Sequence, residues 1–305
     1  MAYLDNKLLI FLTGLFILVL LANSAGAVIR VVPTDYTNIT TAYNAASTGD
    51  IIQIESGLYY ERITISKRIT LQGVNTGSGK PIIDGNGGGN VIYLASNGCT
   101  VDGLVIRNAG AYRIGIEVES DGNTISNNEI EGNNVGINVF DSNDNILKNN
   151  VISHNTDGIQ MHTGSSNNEI SGNTVTYNNR AGIMLGYSAQ NNIISNNDAS
   201  HNGQTTLGDG VSVYLCNGCT ISGNTASGNS QSGIYIFDGN NDNATGNTAS
   251  GNTRSGISLV SASACTVSGN TITGNAYRGF EITSSNGNTF FTNILSNSVN
   301  VGTDS

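Results

Sequence analysis

Gly136-Ile137-Asn138-Val139-Phe140, followed by Asn145, Asn150 and Asn155 and then by Gly158-Ile159-Gln160-Met161-His162, is a stretch that restates itself along the chain. Its opening unit, Gly-apolar-x-apolar, recurs at Gly115, Gly136, Gly158, Gly182, Gly210, Gly233, Gly256 and Gly279, at intervals of 21, 22, 24, 28, 23, 23 and 23 residues. Behind the first seven units stand two Asn five apart. The first runs through Asn128, Asn150, Asn173, Asn197, Asn224, Asn247 and Asn270, the second through Asn133, Asn155, Asn178, Asn202, Asn229, Asn252 and Asn275. Within each unit the period is two (Ile116/Val118, Ile137/Val139, Ile159/Met161, Ile183/Leu185, Val211/Val213), which is one face of a short strand. A single coil of this length buries too few side chains to offset the ordering of its backbone. It is stable only when stacked on its neighbours.

Stacking accounts for the Asn. Parallel strands repeat about every 4.8 Å, so equivalent side chains lie one above another, and a primary amide both donates and accepts along such a column. A third column reads Asn123, Asn145, Asn168, Asn192, Cys219, Asn243, Cys265, Asn288. The predicted fold is all-β: a single-stranded right-handed parallel β-helix of about ten coils with a short N-terminal capping helix.

Composition agrees. Of 305 residues 45 are Asn and 39 Gly, only 2 are Pro, and 11% are charged. Asn and Gly tolerate the left-handed backbone of tight turns. With 12 Lys and Arg against 22 Asp and Glu, and a net charge of −10, the chain is no nucleic-acid binder. Residues 1–27 read as a secretory signal: Lys7, an apolar run from Leu8 to Leu21, then Ala25-Gly26-Ala27. The run is shorter than a spanning helix needs, so no stable membrane span is expected after cleavage and the protein is expected to be secreted, periplasmic or on the cell surface. The alternative is an uncleaved anchor. Residues 28–305 then form one β-helix domain: cap and first coils over 28–110, regular repeats over 111–297, and a tail over 298–305.

The opening of that domain carries Ile39-Thr40-Thr41-Ala42-Tyr43-Asn44-Ala45-Ala46, Gly49-Asp50-Ile51-Ile52, Gly57-x-Tyr59-x-Glu61, Ile69-Thr70-Leu71-x-Gly73 and Ile83-Asp84-Gly85. It is similar to the NosD type of exported β-helix protein. The chain as a whole resembles the pectin-lyase-like superfamily, with repeats like those of carbohydrate-binding proteins and sugar hydrolases. The resemblance implies a polysaccharide or envelope glycan as partner, or an accessory role in copper-site maturation. The spacing Ile39, Ala42, Tyr43, Ala46 is helical and suits a plug for the N-terminal end. Nothing comparable follows Asn297, so that end is closed by residues 298–305 or by a protein partner.

Candidate chemistry gathers on the middle coils. Asn155-Thr156-Asp157-Gly158 resembles the first motif of polygalacturonases, but the remaining motifs of those enzymes are missing. Asp157 and Asp209 both precede a strand Gly two coils apart, a separation of roughly 10 Å near the spacing of inverting glycosidases. Arg180 lies between them. His154, Tyr177 and His201 fill one column over the same coils, and the long interval adds a loop over 203–208. These make Asp157, Asp209, Arg180, His154 and His201 the catalytic candidates, against the plainer reading of solvated turn residues. A second outward column reads Glu119, Phe140, His162, Gly186, Tyr214, Phe237, Val260, Thr283, with Tyr235 on the same face and Tyr187 beside the gap. Phe140, His162, Tyr177, Tyr187, Tyr214, Tyr235 and Phe237 are the candidate binding residues, since rings in a line suit stacking on sugars.

No metal site is predicted. Copper or calcium enters only by resemblance: Met161, His162 and Met184 are the nearest approach to a copper pattern, and Asp84-Gly85-Asn86-Gly87-Gly88-Gly89 resembles one calcium-binding unit. Cys99, Cys219 and Cys265 share a repeat position and read as buried thiols, while Cys216-x-x-Cys219 closes a loop or seeds a metal site. The preferred reading is non-catalytic binding of polysaccharide or envelope components. The alternatives are a hydrolase, lyase or epimerase using Asp157 and Asp209, and a NosD-like accessory protein.

Overall fold

The computed structural model of the chain describes residues 26–186 and 188–304. Tyr187 and all but the last two residues of the expected leader lie outside them. The chain winds as a parallel β-solenoid whose strands build three long sheets. The first has twelve strands, from Ile29–Val32 through Thr124–Ser126 to Thr289–Phe291. The second has eleven, from Ile63–Ile65 through Asp157–His162 to Val301–Asp304. The third is a six-stranded and a three-stranded piece, joined through single bridges at Asp198 and Thr225. Every strand pairs in parallel with its counterpart one coil away. The coils number about twelve rather than ten, because those before residue 110 form without the Asn signature.

Register follows the repeat. Ile116 pairs with Ile137, Ile137 with Ile159, Ile159 with Ile183, and Ile183 with Val211. These side chains point inward and are fully buried. The Gly opening each unit has a steric cause: a Cβ on Gly182 would lie 2.6 Å from the carbonyl of Gly210 and 2.6 Å from the Asn202 amide. Backbone, neighbour and ladder meet there, and only hydrogen fits.

The first two Asn columns are continuous hydrogen-bonded ladders. Asn197 Nδ2 and its backbone N–H both donate to Asn224 Oδ1, at 3.0 and 2.9 Å, and Asn224 repeats this onto Asn247. Most of these amides also donate to a carbonyl, as Asn224 Nδ2 does to Ile194 O at 2.9 Å, whereas Asn145 Nδ2 of the third column is buried without a partner among the described residues. An amide is the one side chain that satisfies two backbone groups and its own neighbour at this buried place. In the third column the sixth ladder residue is Asp242, not Asn243. Asn243 opens a strand, paired with Thr220, and is exposed, while Asp242 Oδ1 accepts the Cys219 N–H at 2.8 Å.

At the N-terminus an α-helix spans Ile39–Ala45, capped by Asn38, whose side chain accepts from Thr41 N. Ile39 and Ala42 are buried in the common core. At the other end the tail adds a strand, Val301–Asp304, to the second sheet beside Arg278–Thr283. Phe291 and Ile294 stay 51% and 64% exposed.

Candidate functional site

The outward face of the second sheet carries a groove of about 460 Å³ lined by Gln160, His162, Arg180, Met184, Gly186, Tyr214, Leu215 and Phe237. Stacking puts these residues together. His162, Gly186, Tyr214 and Phe237 occupy one column on successive coils. Gln160 and Met184 share a second column, two after the strand Gly, with Tyr235.

The apolar wall is a cluster of rings. Tyr214 lies 5.6 Å from Tyr235 and 6.2 Å from Phe237, and Tyr235 stacks on Phe237 at 6.3 Å. Burial, with the nearby charge of Asp209, pushes the Tyr214 phenol up to about 12, so it stays a neutral donor and acceptor. The polar wall is a relay. Arg180 Nε donates to Asp157 Oδ1 at 2.8 Å and Arg180 Nη2 to Oδ2. The Ala181 N–H donates to Oδ1 at 3.1 Å, and Gln160 Nε2 to Oδ2 at 2.5 Å. Gln160 Oε1 in turn meets His162 Nε2 at 2.9 Å. Burial, together with the Arg180 charge and against Asp157, holds His162 below its ordinary value, which keeps the imidazole neutral at pH 7.

Asp157 is fully buried and both its oxygens are occupied. It serves as the counter-ion that fixes Arg180, whose side chain remains about half exposed toward the groove. Asp209, two coils on, accepts the Ser232 N–H at 2.9 Å, and burial pushes its carboxyl up to about 6. The loop over 203–208 packs against Arg180: a Cβ on Gly208 would collide with the Arg180 carbonyl.

His154, Tyr177 and His201 form a stack of their own, with ring centroids 6.2 and 5.3 Å apart. All three have left-handed φ of 56° and are exposed. They sit at the turn between third and second sheets and do not line the groove, because the turn sends their side chains away from it. Phe140 is 41% exposed beside His162 but outside the lining. Gln160 and Leu215 were not among the candidates and Met184 entered only through a copper pattern: Gln160 and Met184 follow from reading the column two after the strand Gly, while Leu215 turns outward through a left-handed φ of 55°.

The glycine-rich unit after Asp84 is no calcium loop. Asp84 accepts from Arg107 Nε at 3.0 Å, Asn108 Nδ2 at 2.7 Å and Asn86 N at 2.9 Å, so a guanidinium takes the place of a cation. Cys99 and Cys265 are buried thiols, and Cys216 and Cys219 are joined as a disulfide.

Among solved structures, the chain is similar to DFA-IIIase from Arthrobacter chlorophenolicus A6 (13% identity, 85% of this chain and 78% of that one, TM-score 0.62). It is also similar to the periplasmic alginate epimerase AlgG (14%, 80% and 76%, 0.57) and to the A-module of the Azotobacter vinelandii mannuronan C-5 epimerase AlgE4 (14%, 84% and 89%, 0.55). At such identities the likeness establishes a shared fold, the pectin-lyase-like parallel β-helix. No curated protein matches the chain. The family described as "Periplasmic copper-binding protein (NosD)" matches over residues 43–208 and again over 178–305. With two overlapping matches spanning nearly all of the solenoid, the chain belongs to the NosD family.

Proposed function

We propose that this protein is exported and binds polysaccharide or envelope glycan, without turning it over, along the outer face of the second sheet. The observation that carries the reading is the juxtaposition, in one groove, of the Tyr214–Tyr235–Phe237 rings with the Arg180 guanidinium and the neutral His162. Sugar rings stack on the aromatic wall through their C–H faces. Hydroxyl or carboxylate oxygens of the same chain face Arg180, with Gln160 and His162 beside it. Because Asp157 already fixes the guanidinium, little ordering is left to the moment of binding. The fold's polysaccharide-active neighbours support this class of ligand. Among the described residues no helix is long and apolar enough to cross a membrane.

A second reading has its own support: Asp209, raised toward 6, is protonated over a range useful to a general acid, beside Tyr214 and one coil from Arg180. It makes the groove an epimerase or lyase site for acidic glycans. The two readings part in one experiment. Wild type and the triple variant Tyr214→Ala, Tyr235→Ala, Phe237→Ala are tested on a glycan array and by calorimetry, and product is followed by NMR on the glycans bound. Binding lost in the variant with no new product supports the first reading. Product that disappears in Asp209→Asn supports the second, and binding unchanged in the triple variant refutes both placements.

The copper of the family description finds no home in the groove. Met161 faces the core, fully buried, which leaves Met184 and His162, and the latter is already engaged with Gln160.

A further inference from the structure

The outer face of the second sheet carries a second ion pair built like the first. Arg254 Nε and Nη2 donate to the two oxygens of Glu281, at 2.9 and 2.7 Å, as the same two atoms of Arg180 do to Asp157. In both pairs the carboxylate is buried, its side chain 4% exposed in Glu281 and 0% in Asp157, while the arginine side chains stay 45% and 49% exposed. Ser255 and Ser258 also donate from Oγ to Glu281 Oε2, at 2.9 and 3.3 Å. Nη1 of each guanidinium has no hydrogen-bond partner among the described residues.

The repeat does not call for these charges. Three of the four coils after Asp157 carry Ala181, Ser232 or Ser255 at its position, and the five before Glu281 carry Gln160, Met184, Ser212, Tyr235 and Ser258 at its own. Coils stack with a neutral residue at either place, and a buried ion pair is weak evidence for stability. The placement of the arginines is what informs. Arg180 and Arg254 each stand two before a strand Gly, three coils apart, with Gly208 and Gln231 between them in the column. The two intervening coils carry the rings of Tyr214, Tyr235 and Phe237. Arg180 leans to the coil before its own and Arg254 to the coil after. The guanidiniums therefore stand three to five coils apart, about 14 to 24 Å. Tyr214 feels the charge of Arg180, and Tyr235 that of Arg254.

We propose that Arg254 is a second anchor for the glycan bound in the groove, and that the two arginines select a linear chain with anionic groups at both ends of the ring wall. This rests on the glycan-binding reading and adds to it a length and a charge pattern. A guanidinium held along one edge by its own carboxylate offers its remaining donors to a carboxylate or sulfate with little further ordering. An extended pyranose chain advances per sugar by about what the solenoid advances per coil, so a chain of about four to six sugars reaches both arginines. A shorter chain reaches one of them only.

The test is calorimetry on the full chain with oligogalacturonates of two to six residues, and with the six-residue chain methyl-esterified so that its carboxylates are neutral. In wild type the affinity should rise by about tenfold or more between chains of three and of six residues, the scale of one added charge-assisted contact. The variant Arg254→Gln, Glu281→Gln removes both charges and leaves neither buried alone; in it the two lengths should bind alike. Wild-type affinity that is flat from three to six residues overturns the second anchor, whether or not the variant folds. A variant that keeps the length gain overturns it as well, even where its affinity falls equally at every length, the mark of a structural role. Wild type that binds the esterified chain as tightly as the acidic one overturns the charge pattern. These failures leave the glycan reading standing. Wild type that binds neither chain, nor anything on the glycan array, refutes that reading and the second anchor with it.

Discussion

Replacing Asp242 by Asn in the disulfide-bonded protein should stabilise it, and by an amount that depends on pH. The buried carboxyl is pushed up to about 7, chiefly by burial and against the Cys219 N–H, from an ordinary 3.8. Between those values the folded state holds a proton that the unfolded state has released. Stability is therefore unaffected by this group below about pH 4, falls as pH rises from there toward 7, and levels off once the folded-state carboxyl has ionised too. At about 1.4 kcal/mol per pH unit of separation, the loss is about 4 kcal/mol at pH 8. Asn does not titrate, and its amide nitrogen takes the donor role that Asn192 and Asn288 fill on other coils, worth about 1 kcal/mol more. Wild type and Asp242→Asn are compared by guanidinium denaturation across that range. The variant's advantage should grow from about 1 kcal/mol at pH 4 to about 5 kcal/mol at pH 8. Taking the difference cancels the other carboxyls, which titrate in both proteins. A constant difference across the range would show that Asp242 is not strained by burial and would refute the reasoning.

Other expectations follow from the same geometry. Asn224→Ala should destabilise the solenoid by about 3 kcal/mol or more, because it strands the Asn197 donors and the Ile194 carbonyl in a buried place; chemical denaturation measures it. Arg180→Met should leave the fully buried Asp157 with only Ala181 N–H and Gln160 as partners, costing about 3 kcal/mol and abolishing binding of acidic glycans before neutral ones, as calorimetry on both classes would show. The three-ring variant of the groove should lose about tenfold or more in glycan affinity, at about 0.5–1.5 kcal/mol per ring. Gly182→Ala should be far more damaging than an ordinary Gly to Ala change, because its Cβ meets the Gly210 carbonyl and the Asn202 amide at 2.6 Å; soluble expression and melting temperature report it.

What the sequence determined by itself is what the repeat enforces. Coils that differ by an integral period must stack, so Ile137, Ile159 and Ile183 become vertical neighbours and Asn197, Asn224 and Asn247 a ladder, whatever fills the turns. Even the ring row of Tyr214 and Phe237 could be read this way. What only the tertiary structure decided are contacts that step off a column. Arg180 reaches back one coil and one column to close on Asp157, which turns an imagined acid into a clamp. His154, Tyr177 and His201, in register with the same coils, leave the groove through a left-handed turn. The third ladder chose Asp242 over the adjoining Asn243 because position relative to the strand start, not amide chemistry, sets which side chain points inward. Periodicity fixes which coils meet. The local φ and the partner each charge finds decide what meets on them.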